Sequence, residues 1–163
     1  MPARAIPPPK RYEDLDDFLW RDFEHEVEWT TWLSQRGARP GRGSDFASAL
    51  SLQAALRALE DVNSGGPSAP AAIKRLNALV AEYDVHPFVG DGGTSTLTAK
   101  GGLVGRMLIV ALEAMADGTW KRFRRCRDAT CHASFYDVSK SGTRAWCSMK
   151  RCGARAKMRR FRS

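Results

Sequence analysis

The sequence predicts a mainly α protein: a helical bundle with one small β-hairpin, closed by a compact four-cysteine module that runs into a basic helix. Three observations predict it. Apolar residues recur at three- and four-residue spacing in successive segments, the signature of amphipathic helices. All four cysteines fall in the last quarter of the chain, in the pattern C-x4-C-x15-C-x4-C. The charge is divided as well: residues 121–163 hold 14 Lys and Arg against two acids, a net +12, while the 120 residues before them carry −4, giving +8 for the whole.

The elements follow in order. Residues 1–12 read as a flexible arm, because Pro7, Pro8 and Pro9 cannot sustain a helix. A helix is expected from Glu13, with acids in its first turn where the helix dipole favours them and Leu15, Phe18, Leu19, Phe23 and Val27 on its buried face. Trp20, Trp29 and Trp32 sit partly off that stripe and are expected in core or interface packing. The segment from Gly37 to Gly43 is a turn-rich loop whose Arg36, Arg39 and Arg42 are expected to be solvated. A second helix follows a cap at Ser44 or Asp45 and uses Phe46, Leu50, Leu52, Leu56, Leu59 and Val62. A third begins near Pro70, a favoured first-turn residue, and buries Ile73, Leu76, Leu79, Val80 and Tyr83. Pro87-Phe88-Val89 and Thr94 to Thr98 flank Asp91-Gly92-Gly93 as a hairpin. That glycine cluster lacks the Lys-Ser or Lys-Thr of a phosphate-binding loop. The fourth helix, Leu103 to Ala116, is apolar nearly all round and belongs at the centre of a bundle. Thr119 is expected to cap a short helix, Trp120 to Arg125, that delivers Cys126.

Two close cysteine pairs separated by a medium spacer suit a tetrahedral zinc site, each pair supplying two thiolates from one turn. Cys126, Cys131, Cys147 and Cys152 are therefore the candidate ligands of one structural Zn²⁺. In a secreted chain the same four could form two disulfides. The N-terminus has no apolar signal segment, so a reducing cytoplasm is expected, where thiols stay free for metal. Arg125, Arg127, Lys150 and Arg151 adjoin the ligands and would offset the charge of four thiolates around Zn²⁺. His132, next to Cys131, is the one histidine that could stand in for a cysteine. Phe135-Tyr136 and the turn Ser139 to Gly142 read as a second hairpin, with Trp146 as a lid on the metal.

Ser148 can cap a last helix running to Arg162. On it Arg151, Arg155, Arg159 and Arg162 share one face, Lys150, Lys157 and Arg160 form a neighbouring stripe, and Ala154, Met158 and Phe161 make an apolar seam. So many cations on one short helix repel one another until a polyanion relieves them. These seven basic residues are the candidate nucleic-acid contacts.

The run Arg144-Ala145-Trp146-Cys147-Ser148-Met149-Lys150-Arg151-Cys152-Gly153-Ala154-Arg155-Ala156-Lys157, with Arg125-Cys126-Arg127-Asp128-Ala129-Thr130-Cys131 upstream, resembles the CGNR zinc-finger family. Its members usually carry a mainly helical N-terminal domain called ABATE and are regarded as bacterial stress-induced transcription regulators. The resemblance implies that the four cysteines are the zinc ligands and that the last helix contacts DNA. It also implies a division into the arm (1–12), a helical ABATE-like domain (13–118) and the zinc finger with its basic helix (119–163). Two departures stand out. The Leu-Asp-Leu-Val-Asn-Thr-like opening is replaced by the charged stretch Glu13 to Glu28, and Cys-Gly-Asn-Arg reads Cys152-Gly153-Ala154-Arg155. An Asn side chain can hydrogen-bond a base edge, and Ala cannot.

The expected function is a zinc-dependent, DNA-binding transcription regulator. Double-stranded DNA is its partner, and the N-terminal domain senses a signal or forms a homodimer. A zinc-dependent protein-interaction or redox-switch module is the alternative, as is an RNA-binding protein in which Phe135 and Tyr136 stack bases. No catalytic residues are expected: a four-thiolate site has no open position for substrate. His25, His86 and His132 are scattered, and Glu24, Glu26 and Glu28 read as a solvated face. No apolar run is long enough to cross a bilayer, so no membrane partner is expected.

Overall fold

The computed structural model describes residues 8–38 and 45–162. The first seven residues of the expected arm, Arg39, Arg42 and the Ser44 cap lie outside the described residues. Residues 8–12 differ from the expected flexible arm. Lys10–Tyr12 form a 3-10 turn, and Tyr12 is only 1% exposed. Its ring stacks on Tyr136 at 5.6 Å and meets Phe123 edge-on at 5.5 Å, while its hydroxyl bonds Thr119 and Asp117. A tyrosine with both an apolar slot and a polar partner is fixed in place despite the prolines before it.

Helix α1 (Glu13–Trp20) buries Leu15, Phe18 and Leu19, but it stops sooner than its periodicity suggests. Arg21 is extended, and α2 (Glu26–Ser34) starts afresh. The Glu28 carboxylate accepts the backbone N–H groups of Glu24 at 2.7 Å and His25 at 3.2 Å, satisfying donors that a helix start leaves open. Glu28 is thus a cap and not merely part of a solvated face. The break turns Val27 outward, 65% exposed, and gathers Phe18, Phe23, Trp29 and Trp32 into one aromatic cluster. Arg36 is internal as well. It lies over the Trp32 ring at 4.1 Å and bonds Asp17 at 2.7 Å, the carboxylate that also accepts the Trp32 indole N–H.

Helix α3 (Asp45–Asn63) packs on α4 (Pro70–Glu82), which has Pro70 in its first turn. Leu52, Leu56, Leu76, Leu79 and Tyr83 are buried; Ile73, expected inside, is half exposed. Strands β1 (His86–Val89) and β2 (Ser95–Thr98) pair antiparallel, His86 opposite Thr98, across the expected turn. Gly101 then has φ +80°, and a Cβ there would come within 2.2 Å of the Tyr83 ring, so only glycine lets that ring lie against the chain. Helix α5 (Gly102–Ala116) buries Leu103, Val104, Met107, Leu108, Ala111 and Ala114 against α1 and α3.

The segment after α5 corrects two expectations. Trp120 to Arg125 is not a helix: a 3-10 turn, Thr119–Arg122, leads into β3 (Phe123–Arg125). The second hairpin does not turn at residues 139–142. Instead β3 pairs antiparallel with β4 (Ser134–Tyr136), enclosing the first cysteine pair. The cause is Phe123, fully buried among Tyr12, Trp120 and Tyr136. Phe123 and Tyr136 therefore belong to the same core as Leu15 and Leu56.

The end of α3 fastens this sheet to the body. Asn63 Nδ2 donates to the carbonyls of Trp120 and Phe123 at 2.8 and 2.9 Å, Ser64 exchanges bonds with the Arg125 backbone, and Ser134 donates to Glu60 at 2.5 Å. Among the described residues no helix is long and apolar enough to cross a membrane.

Candidate metal centre and basic helix

Each cysteine arrives on its own piece of local structure. Cys126 extends β3, its N–H donating to Ala133 O at 2.9 Å. Cys131 sits in the turn that follows, its N–H on Asp128 O at 2.9 Å. Cys147 ends the long loop, where Arg144 Nη2 reaches its carbonyl at 2.7 Å. Cys152 lies on a π-helical turn, Met149–Gly153, that opens the last helix.

The four sulfurs lie within 4.8 Å of one another, and Cys147 Sγ is 3.7 Å from both Cys131 Sγ and Cys152 Sγ. Thiolates about 2.3 Å from a tetrahedral zinc would be about 3.8 Å apart. None of the four is disulfide-bonded, and all four converge on one point as a metal cage requires. Packed this closely, the thiols cannot all ionise alike. Cys126 is pulled down to about 5 by the hydrogen bond from Cys147, whose own thiol is pushed up in consequence. Cys152 is pushed up to about 12, chiefly by burial. Four thiols this close ionise together only around a divalent cation.

The surroundings complete the cage. Arg155 Nη2 donates to Cys152 Sγ at 3.2 Å, a charge-assisted bond from a residue that sequence adjacency did not single out. Trp146 packs against the cluster of Cys126, Phe135 and Cys152, the position expected of a lid. His132 is not among the clustered ligands; its ring bonds Ala129 O at 3.1 Å. Phe135 and Tyr136 are each 7% exposed, which removes them as base-stacking candidates. Several arginines are structural: Arg122 donates to the carbonyls of Asp137 and Ser139, and Arg124 to that of Gly142.

Helix α6 (Ala154–Arg162) carries the rest of the charge. Ser148 holds the cap position without a side-chain cap bond. Lys150 and Arg151 lie on the π turn, while Arg155, Lys157, Arg159, Arg160 and Arg162 lie on α6; all seven are exposed. Arg151, Arg155, Arg159 and Arg162 border one shallow groove, as their spacing suggests. Met158 and Phe161, expected as an apolar seam, face solvent.

Asp128 is the residue that sequence reasoning missed. Its carboxylate is fully buried and accepts from Arg155 at 2.6 and 2.7 Å and from Arg159 at 2.9 Å, tying α6 to the turn between the first two cysteines. Burial alone would raise its pKa, but the two guanidinium bonds outweigh this and hold it well below the usual carboxylate range. A signal was available: residues 121–163 contain only two acids, and both are fully buried. The second, Asp137, accepts the backbone N–H groups of Ser139 and Arg144 and shapes the loop to Cys147.

Two family models match the chain. The CGNR zinc finger covers residues 122–163. ABATE, described as "Putative stress-induced transcription regulator", covers residues 8–129. Neither describes an enzyme family. No curated protein matches the chain. With about three-quarters of its length under the second model, the chain belongs to the ABATE family, and its C-terminal end is a CGNR zinc finger that holds one structural zinc ion.

Proposed function

We propose that the protein is a zinc-dependent transcription regulator that binds double-stranded DNA through α6 and the π turn before it, with the helical body receiving a signal or pairing with a second copy. The observation that carries this reading is the way α6 is held. Asp128 and the Cys152 sulfur grip one side of the helix through Arg155 and Arg159, while Lys150, Arg151, Lys157, Arg160 and Arg162 are exposed. A helix so anchored presents its cations as a fixed array, which suits docking on phosphates. The zinc cage acts through this geometry, since Cys152 lies on the turn that starts the helix.

Ala154 is exposed at the first position of α6, where the family pattern has Asn. Base reading from that position is reduced to an apolar contact, such as with a thymine methyl group. Selection of bound duplexes from a random pool tests the proposal. The zinc-loaded chain is expected to enrich duplexes, and Cys147→Ser to enrich none. Equal recovery with the two proteins would contradict it.

A further inference from the structure

Strands β1 and β2 form a sheet of only two strands, and most of it faces solvent. All four residues of β1 are exposed, Phe88 by 56% and Val89 by 67%. On β2, Ser95 and Thr96 are exposed, while Leu97 and Thr98 are half-buried. A two-stranded ribbon with so little burial is marginal in water and gains from a further strand.

The hydrogen-bond pattern fixes where such a strand can join. The Gly90 N–H donates to Thr94 O at 2.9 Å, so bonded pairs recur at Phe88 with Thr96 and at His86 with Thr98. Pro87 and Val89 of β1, and Ser95 and Leu97 of β2, therefore turn their backbone groups outward. Pro87 has no N–H and interrupts the outer edge of β1, a position where a sheet tolerates proline. The outer edge of β2 has no such interruption. Ser95 and Leu97 offer their N–H and carbonyl groups there, and among the described residues no strand pairs with them. Neither strand carries a Lys, Arg, Asp or Glu, the charges that commonly keep an open edge from pairing.

We infer that this edge is a self-association surface, on which β2 pairs antiparallel with β2 of a second copy to make one four-stranded sheet. A second copy suits the edge because the strand is complementary to itself about Thr96. Antiparallel pairing centred there sets Ser95 opposite Leu97 of the other copy, twice over, and closes four main-chain hydrogen bonds. It sets Thr96 opposite Thr96 at a non-bonded pair, where side chains lie closest and Thr–Thr contacts stabilise. Thr96 shares its face with Phe88, its partner in the hairpin, so a row of Phe88 and Thr96 from each copy crosses the sheet. No charge meets a like charge across the joint. The contact is isologous and closes on itself, which gives a dimer rather than a fibre. A joint this small is expected to hold at micromolar concentration. The inference takes up the pairing role given to the body above and needs no DNA; where α6 does bind duplex, the dimer presents two basic helices.

Sedimentation equilibrium of the zinc-loaded full chain, without DNA and across the micromolar range, tests the inference. A reversible monomer–dimer equilibrium is expected. Thr96→Lys, at an exposed position, sets two like charges face to face and is expected to weaken the dimer by about tenfold, with zinc content and circular dichroism unchanged. Val89→Lys adds the same charge on the other edge of the hairpin and is expected to leave the equilibrium unchanged. In Thr96→Cys the paired Cα atoms would lie about 4.5 Å apart, within disulfide reach. Mild oxidation of that variant is expected to give a covalent dimer, and oxidation of Val89→Cys is not. Monomer at every concentration would overturn the inference, as would a dimer that Thr96→Lys leaves intact, equal weakening by the two lysine substitutions, or equal cross-linking of the two cysteine variants. Duplex binding by a strictly monomeric chain would overturn the pairing alone and leave the reading of α6 standing.

Discussion

At the scale of single residues, buried charge explains more than exposed charge. Asp128 shows this most directly: it takes two arginines away from the apparent polyanion face and uses them to dock α6. Asp128→Asn removes the charge and keeps the size. The expected outcome is one zinc per chain as before, with faster amide exchange along Ala154 to Arg162; unchanged exchange in α6 would show that the ion pairs do not hold the helix. Glu60 offers a second test. It is fully buried, and burial raises its pKa well above the usual value, against the pull of Ser134, Arg125 and Arg57 and with the help of Asp16. A carboxyl raised in the folded state stabilises fully below its unfolded pKa of about 4.3, and that stability is lost as pH rises through the folded value. The melting temperature is therefore expected to fall from weakly acidic to alkaline pH. Glu60→Gln should flatten that fall by a few degrees, since about 1 kcal/mol moves a chain of this size by about 2–4 °C. A pH profile identical in the two proteins would show that Glu60 is charged in place.

At the scale of elements, the last residues of α3 decide how the finger meets the body. Asn63 satisfies two carbonyls in the segment leading to the first cysteine. Asn63→Ala leaves both without that partner and is expected to cost about 1–3 kcal/mol, read as a lower melting temperature with zinc stoichiometry unchanged. Loss of the metal in this variant would mean that the cage depends on the body for its assembly. Long periodic segments were legible from sequence: α3, α4 and α5 begin and end within a residue or two of their expected limits. So was the β1–β2 hairpin, whose turn chemistry is local. The break between α1 and α2 was not legible, because Leu15 to Val27 keeps helical spacing across it. What ends α1 is the burial of the Phe23 and Trp29 rings with the Glu28 cap, and a cap acceptor three residues into a helix looks like any exposed acid in sequence. Strand β3 was hidden for a related reason. Phe123 to Arg125 is too short to show alternation, and its pairing partner lies beyond the cysteine loop.

At the scale of the whole molecule, the finger is continuous with the body. Tyr12, Phe123 and Tyr136 form one aromatic contact that joins the first described turn, the strand before Cys126 and the strand after Cys131. The overlap of the two family matches over residues 122–129 falls on this joint. The candidate ligands were readable because zinc demands a fixed number of thiolates at short range, and four cysteines in two pairs meet that demand in the sequence itself. The Asp128 contact was not, since it needs residues far apart in the chain to converge. The central claim joins cage, helix and polyanion, and the salt dependence of duplex binding tests it most directly. With five exposed cations engaged, a plot of log K against log salt concentration is expected to have a slope of about −4 to −5, and Cys147→Ser is expected to abolish the binding. A slope near zero, or undiminished binding by the cysteine variant, would contradict the account.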